Sequence, residues 1–209
     1  FCDDEVEPIN QDGIIDFDTT NILPTILQGQ TGFTTLFTLE NGTTVTNLPS
    51  TFTTGTQNVI LTLTNPLNTS CPVSTTLNFI VNPVPNIDLN TDGTANKLVC
   101  TNEPTFLVTI DAGIIDGTPT SDYTYQWYLN GTELTGETNY SISINTEGTY
   151  TVDVSNGFNC KRTRTIVVNS SDIANIEDVY ITDLSDNNTV QVAVTGNGDY
   201  VYTINDGVF

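Results

Sequence analysis

Two runs between Cys100 and Cys160 constrain the fold more tightly than anything else in the chain. In residues 123–129, Tyr123, Tyr125, Trp127 and Leu129 alternate with Thr124, Gln126 and Tyr128. In residues 148–154, Tyr150, Val152 and Val154 alternate with Thr149, Thr151 and Asp153. A strict period of two puts one set on a buried face and the other in solvent, as in half-buried strands. Comparable runs recur at 13–17, 33–39, 58–64, 74–81, 97–99, 105–110, 140–144, 159–168 and 190–194. They are separated by hairpin signals such as Asn41-Gly42, Asn130-Gly131 and Asn156-Gly157. Only 20–27, containing Pro24, reads otherwise, as a short helical crossover. The chain is therefore predicted to be all-β.

The pattern also suggests which all-β plan. Two cysteines bracketing the single Trp, with Gly148-Thr149-Tyr150 ahead of the second, form the skeleton of an immunoglobulin-like sandwich. Cys160 lies well beyond the usual place, past the Asn156-Gly157 turn and on the next strand. The expectation is that its disulfide pins an outer strand and that Trp127 packs on it. Three units are predicted: sandwiches over 1–83 and 84–170, joined at Asn82-Pro83-Val84-Pro85, and an incomplete third over 171–209. In the third, 190–194 is expected to form a hairpin with 200–204, turned at Gly196-Asn197-Gly198, with the remaining strands lying beyond Phe209 or coming from a partner.

The four cysteines form no C-x-x-C pair and there is no histidine to share a metal, so disulfides in an oxidising compartment are expected. Three connectivities are possible. Spacing favours Cys2–Cys71 and Cys100–Cys160, one bridge per sandwich, each worth roughly 4 kcal/mol in the chain-entropy view.

Charge excludes several partners. The formal net charge is -21, from 25 acidic and 4 basic residues. Nucleic acid and anionic membrane surfaces require clustered Lys and Arg, and no apolar run is long enough to span a bilayer. The absence of histidine rules out Ser-His-Asp and Cys-His catalysis. No acidic pair stands out as a glycosidase dyad, and no phosphate-binding glycine loop occurs, so the chain reads as non-enzymatic.

Few residues stand out as sites. Asp88-Leu89-Asn90-Thr91-Asp92-Gly93 matches the first half of a calcium loop, in which alternate oxygens face one ion. Position twelve would be Val99 instead of Glu, so half the ligand set is missing. Asp88, Asn90 and Asp92 are nonetheless the candidate metal ligands, and calcium the one cofactor with a candidate site. Weaker oxygen clusters are Cys2-Asp3-Asp4-Glu5, and Asn10 and Asp12 with Asp16 and Asp18. Lys161, Arg162 and Arg164 share one strand, where pairing with Asp153 and Glu147 is expected. Tyr128, opposite Trp127, is the candidate for an exposed aromatic contact.

Several stretches carry a family resemblance. Phe1-Cys2-Asp3-Asp4, Asp12-Gly13-Ile14 and Phe17-Asp18 resemble the repeat start of very long flavobacterial surface proteins. Tyr125-Gln126-Trp127-Tyr128-Leu129-Asn130-Gly131, residues 148–152 and Asn159-Cys160 are similar to their immunoglobulin-like repeats. Residues 183–190 and 195–200 resemble the partial repeat before a type B sorting domain. The resemblance implies a cell-surface adhesin of the gliding-motility SprB type, exported by the type IX secretion system. Its partner would be the secretion and outer-membrane attachment machinery, engaged through a C-terminal domain. It also implies an O-glycan acceptor, since Asp18-Thr19-Thr20 is similar to the acceptor sequence in these bacteria, with Thr19 carrying the sugar. The function expected is a structural stalk that presents distal binding regions, and the alternative is a carbohydrate-binding module.

Overall fold

The structure is a computed structural model that describes residues 1–3, 11–100, 102–183 and 189–196. Compactness divides it into two units, 1–86 with 155–162, and 87–154 with 163–209.

In the first unit, β1 (Ile15–Asp18) is followed by α1 (Ile22–Leu27), then β2 (Thr34–Thr38) and β3 (Thr44–Val45). β4 (Thr51–Thr54), β5 (Gln57–Asn65) and β6 (Asn68–Phe79) complete it. β1 and β4 form a two-stranded antiparallel sheet, and the other strands a sheet in the order β3-β2-β5-β6. Ile15, Phe17, Phe37, Val59, Leu61 and Phe79 are the buried core. Phe17 and Phe52 meet Phe79 edge-to-face at 5.0 and 5.2 Å between ring centroids, an arrangement favoured by the ring quadrupoles. The predicted crossover is α1, six residues whose Ile22, Leu23 and Ile26 pack partly buried against this core and which end on Gln28 in the left-handed region.

The β5–β6 ladder runs further than the sequence suggests. The runs at 58–64 and 74–81 leave 65–73, with Pro66 and Pro72, as the turn, but pairing continues past an irregularity after Leu63 to Asn65↔Asn68, leaving only Pro66-Leu67 as the loop. Cys71 and Pro72 therefore lie within β6. β6 is at the edge of its sheet, where a proline can lack its N–H without breaking an inner ladder.

The second unit repeats the plan. β7 (Lys97–Cys100), β8 (Val108–Asp111) and β9 (Thr124–Leu129) are followed by β10 (Thr132–Glu133) and β11 (Ser141–Ile144). β12 (Gly148–Ser155) and β13 (Lys161–Ser171) close it. β8 pairs with β11, and the larger sheet has the order β10-β9-β12-β13-β7, with β7 parallel to β13. Asn130 and Gly131, at φ 49° and 79°, form the predicted two-residue turn between β9 and β10, a type I′ geometry. The alternation read from the sequence is the burial pattern observed: Tyr125, Trp127, Tyr150, Val152 and Val154 are all buried.

Two features mark this unit as an immunoglobulin-like sandwich. Trp127, fully buried on β9, donates its indole N–H to Asn139 O at 2.9 Å. Tyr150, near the start of β12, donates its hydroxyl back to Thr146 O at 3.0 Å, the corner that orders the turn into this strand. Each strand from β1 to β6 has its counterpart from β8 to β13 in the same pairing order. The fold is thus all-β, built from immunoglobulin-like modules.

Beyond β13, β14 (Asn175–Thr182) pairs with β15 (Thr189–Thr195) as an antiparallel hairpin, with an irregularity between Ile176 and Asp178. Every residue of β14 is exposed. β15 therefore pairs with the strand before it. The segment 200–204, expected as its partner, and Asn197-Gly198 of the expected turn lie outside the described residues.

Candidate functional site

The cysteines correct the sequence-based pairing. Cys2 is bonded to Cys160, with Cα atoms 5.5 Å apart, while Cys71 and Cys100 are free thiols. Spacing gives loop lengths, but strand register decides which cysteines meet. Cys2 forms a parallel bridge with Asn82, held by Asp3 N–H to Asn82 O and Asn82 N–H to Phe1 O, both 2.8 Å. Asn156 Nδ2 donates to Pro83 O at 2.7 Å, and its Oδ1 accepts from Phe158 N and Cys160 N. The 156–160 turn is thereby fastened beside Asn82 and Pro83, where Cys2 already lies. Cys160 is fully buried there, within the first unit. Trp127 consequently does not pack on a disulfide. The buried residues around it, Ile110, Val152 and Val154 among them, are aliphatic or aromatic.

The loop proposed to hold calcium is tied together by its own side chains. Asn90 is buried at φ 60°, and its Nδ2 donates to Asn96 Oδ1 and Thr165 O, both at 2.9 Å. Its Oδ1 accepts Ala95 N–H at 2.7 Å. Asp88 Oδ1 accepts Asn90 N–H, while Asp88 Oδ2 faces Arg164 Nη1 at 2.8 Å. Asp92 Oδ1 accepts the backbone and hydroxyl donors of Thr94, which lower its pKa. The oxygens of Asp88, Asn90 and Asp92 thus serve three separate tasks. Among the described residues no group of three or more carboxylate or cysteine side chains is arranged to hold a metal. Asp4, Glu5 and Asn10 lie outside the described residues.

On the basic strand, Arg164 differs from its expected pairing with Asp153 or Glu147. Burial along β13 alternates from Lys161, so Arg162 and Arg164 take inward positions in line with Ile166 and Val168. Arg164 Nη1 donates to Asp88 O at 2.7 Å as well as to its carboxylate. Its partner is therefore Asp88 on the loop before β7, while Asp153 accepts the Thr163 hydroxyl at 2.6 Å. The guanidinium lies over Gly113, where φ is +72° and an added Cβ would fall 1.8 Å from Nη1. Only glycine fits. This pair was legible in one respect, since Arg162 and Arg164 share the parity of the apolar residues.

Thr19 is buried, and its hydroxyl donates to Pro49 O. A sugar on that oxygen would require this bond to break. Exposed Thr20 bonds Asp18 through both its N–H and its hydroxyl, at 2.9 and 2.6 Å, which lowers the Asp18 pKa. Asp16 accepts the Thr53 hydroxyl. These carboxylates border a groove of about 630 Å³ in the first unit, whose apolar lining includes Phe1, Phe17, Leu77, Phe79 and Ile80. A glycosidase acid must have a raised pKa, and the Asp18 shift runs the other way. Tyr128, the exposed-aromatic candidate, is half-buried and registers with Glu133.

No protein-family model and no curated protein matches this chain. Among solved structures, Sidekick-1 immunoglobulin domains 1–4 are similar over 66% of this chain and 40% of that one, at 15% identity and TM-score 0.39. Drosophila OTK extracellular domains 3–5 are similar over 83% and 66%, at 12% identity and TM-score 0.33. A Bacteroides ovatus mixed-linkage glucan utilization locus protein, SGBP-B in complex with a heptasaccharide, is similar over 87% and 55%, at 13% identity and TM-score 0.24. The chain spans about 40% of the Sidekick-1 structure it matches.

Proposed function

We propose that this chain is a non-enzymatic stalk segment of a secreted cell-surface adhesin, a spacer that presents binding regions carried elsewhere. The observation that carries this reading is the Cys2–Cys160 bridge, which closes 158 residues of sequence with a single covalent link. A spacer must transmit tension without lengthening, and this bridge removes most of the chain from any extension. Two sandwiches with the same strand order and strong negative charge suit the same role, since like charge keeps such segments soluble and apart. A disulfide of this span fits an oxidising, extracytoplasmic setting. The finer assignment, a gliding-motility adhesin delivered by type IX secretion, rests on the sequence resemblance. The test is mechanical: with its bridge intact, the chain pulled from its two ends must resist unravelling across residues 2–160.

A second reading, a carbohydrate-binding module, is favoured by the phenylalanine-lined groove with bordering carboxylates. Glycan-array binding that is lost on Ile80→Ala or Tyr128→Ala would support it over the stalk. An array without signal at high protein concentration would remove it.

A further inference from the structure

The two free cysteines occupy positions that are bonded in the other sandwich. In the first sandwich the initial segment runs parallel to the last, and Cys2 pairs with Asn82. In the second, β7 runs parallel to β13, and Cys100 pairs with Ser171. Cys2 and Cys100 are thus the same residue of the plan. Cys71 lies eleven residues before Asn82, and Cys160 eleven residues before Ser171. The last buried members of the two core clusters, Phe79 and Val168, each lie three residues before those partners. Asn86-Ile87 and Asn175-Ile176 follow at the same offset. Cys71 and Cys160 are therefore equivalent too, and the observed bridge joins a cysteine of the first kind to one of the second.

We propose that Cys100 and Cys71 form the same bond between successive copies. Cys100, beside the last strand of one copy, would bond Cys71, in the last hairpin of the next. Repeated, this makes a ladder in which each first-segment cysteine is joined to the last-hairpin cysteine of the following sandwich. Cys71 is exposed and Cys100 half-buried, its Sγ 3.3 Å from Asn102 Oδ1, so both sulfurs lie within reach of a second molecule. The chemistry is thiol–disulfide exchange. Each thiol loses one proton and one electron, the two sulfurs bond, and a small organic disulfide such as oxidised glutathione takes up both and leaves as two thiols. The alternative of two unrelated surface thiols does not account for the shared offsets.

The test uses the full chain and two variants, C71S and C100S, each verified to retain Cys2–Cys160 and one free thiol. Incubated with oxidised glutathione, an equimolar mixture should give a mixed dimer about tenfold in excess of the like-with-like dimers formed by either variant alone, since a shaped contact raises the local thiol concentration. Non-reduced peptide mapping should show Cys100–Cys71. The unmodified chain should extend into a reductant-sensitive series of multimers with the same linkage. Like-with-like dimers at comparable yield would overturn the proposal, as would chains that remain monomeric and glutathionylated. The mapping of the unmodified chain decides the matter independently of how the variants fold.

Discussion

The bridge makes a quantitative mechanical prediction. If the chain is held at Phe1 and Phe209 and stretched, tension entering at Cys2 passes through the disulfide to Cys160. That path spans 5.5 Å between Cα atoms but shields 158 residues of sequence separation. At roughly 3.3–3.6 Å per extended residue, the shielded length is about 52–57 nm. Oxidised, the chain can lengthen only through residues 161–209, about 16–18 nm at the same rise per residue. Single-molecule pulling between handles at the two ends, with and without a phosphine reductant, measures both. The expected result is a short contour gain in the oxidised chain and about 52–57 nm more after reduction. The pairing first read from spacing would release its length in two smaller steps, one per sandwich. An oxidised chain that reaches full extension, or a reduced one that gains nothing, would refute the stalk argument. The same bridge bears on stability, since a loop this long is worth up to about 5 kcal/mol in the chain-entropy model, to be lost in the C2S/C160S variant.

Other expectations follow from single side chains. Asn90→Ala removes three side-chain hydrogen bonds at a left-handed residue and should cost about 3–4 kcal/mol in denaturant unfolding, with Asn90→Gly recovering about 1 of it. Tyr150→Phe loses the bond to Thr146 O and should cost about 1–2 kcal/mol by the same measurement. Burial first, then neighbouring Tyr140, Tyr123 and Asp122, push the Tyr125 hydroxyl up to about 12. The folded state then keeps a proton that the unfolded state releases near pH 10, so stability is full below pH 10 and falls towards pH 12; Tyr125→Phe should flatten that fall in base-titrated melts. With Asp88 paired to Arg164, millimolar calcium should leave Tm unchanged within about 1 °C, and a rise abolished by Asp88→Asn would show the loop rearranging around an ion.

The strands were largely legible, because each buries one face and period two is visible without knowing its neighbours. The 123–129 and 148–154 runs, the helical crossover and the Asn130-Gly131 turn all come from local chemistry, and all are present in the fold. β4 escaped notice: Thr51, Phe52, Thr53 and Thr54 hold a single large apolar residue, and its pairing with β1 comes from tertiary context. The end of the β5–β6 hairpin is not visible in the sequence because Pro72 looks like a terminator, whereas an edge strand tolerates it. Side-chain roles were less visible than strands. Asn90 carries the residue type and spacing of a calcium ligand, yet in the fold its amide spans between Ala95, Asn96 and Thr165. Composition shows that an oxygen is present, not which donor will claim it.

The disulfide shows most clearly where a one-dimensional reading stops. Pairing cysteines within modules minimises loop length, and each doubling of a loop costs only about 0.6 kcal/mol in closure entropy. So weak a preference is overridden by any contact that fixes two sulfurs side by side. Here the fixing is done by hydrogen bonds: Asn82 exchanges strand bonds with Phe1 and Asp3 of the initial segment, and the Asn156 side chain anchors its turn on Pro83. The same reasoning explains why Cys71 and Cys100 do not bond each other by default. Each lies where a counterpart from another sandwich is placed in the one bridge that does form, and nothing in the backbone register of either sheet pairs one with the other. Loop length ranks the connectivities that a flexible chain would sample, while strand register selects the one that the folded chain keeps.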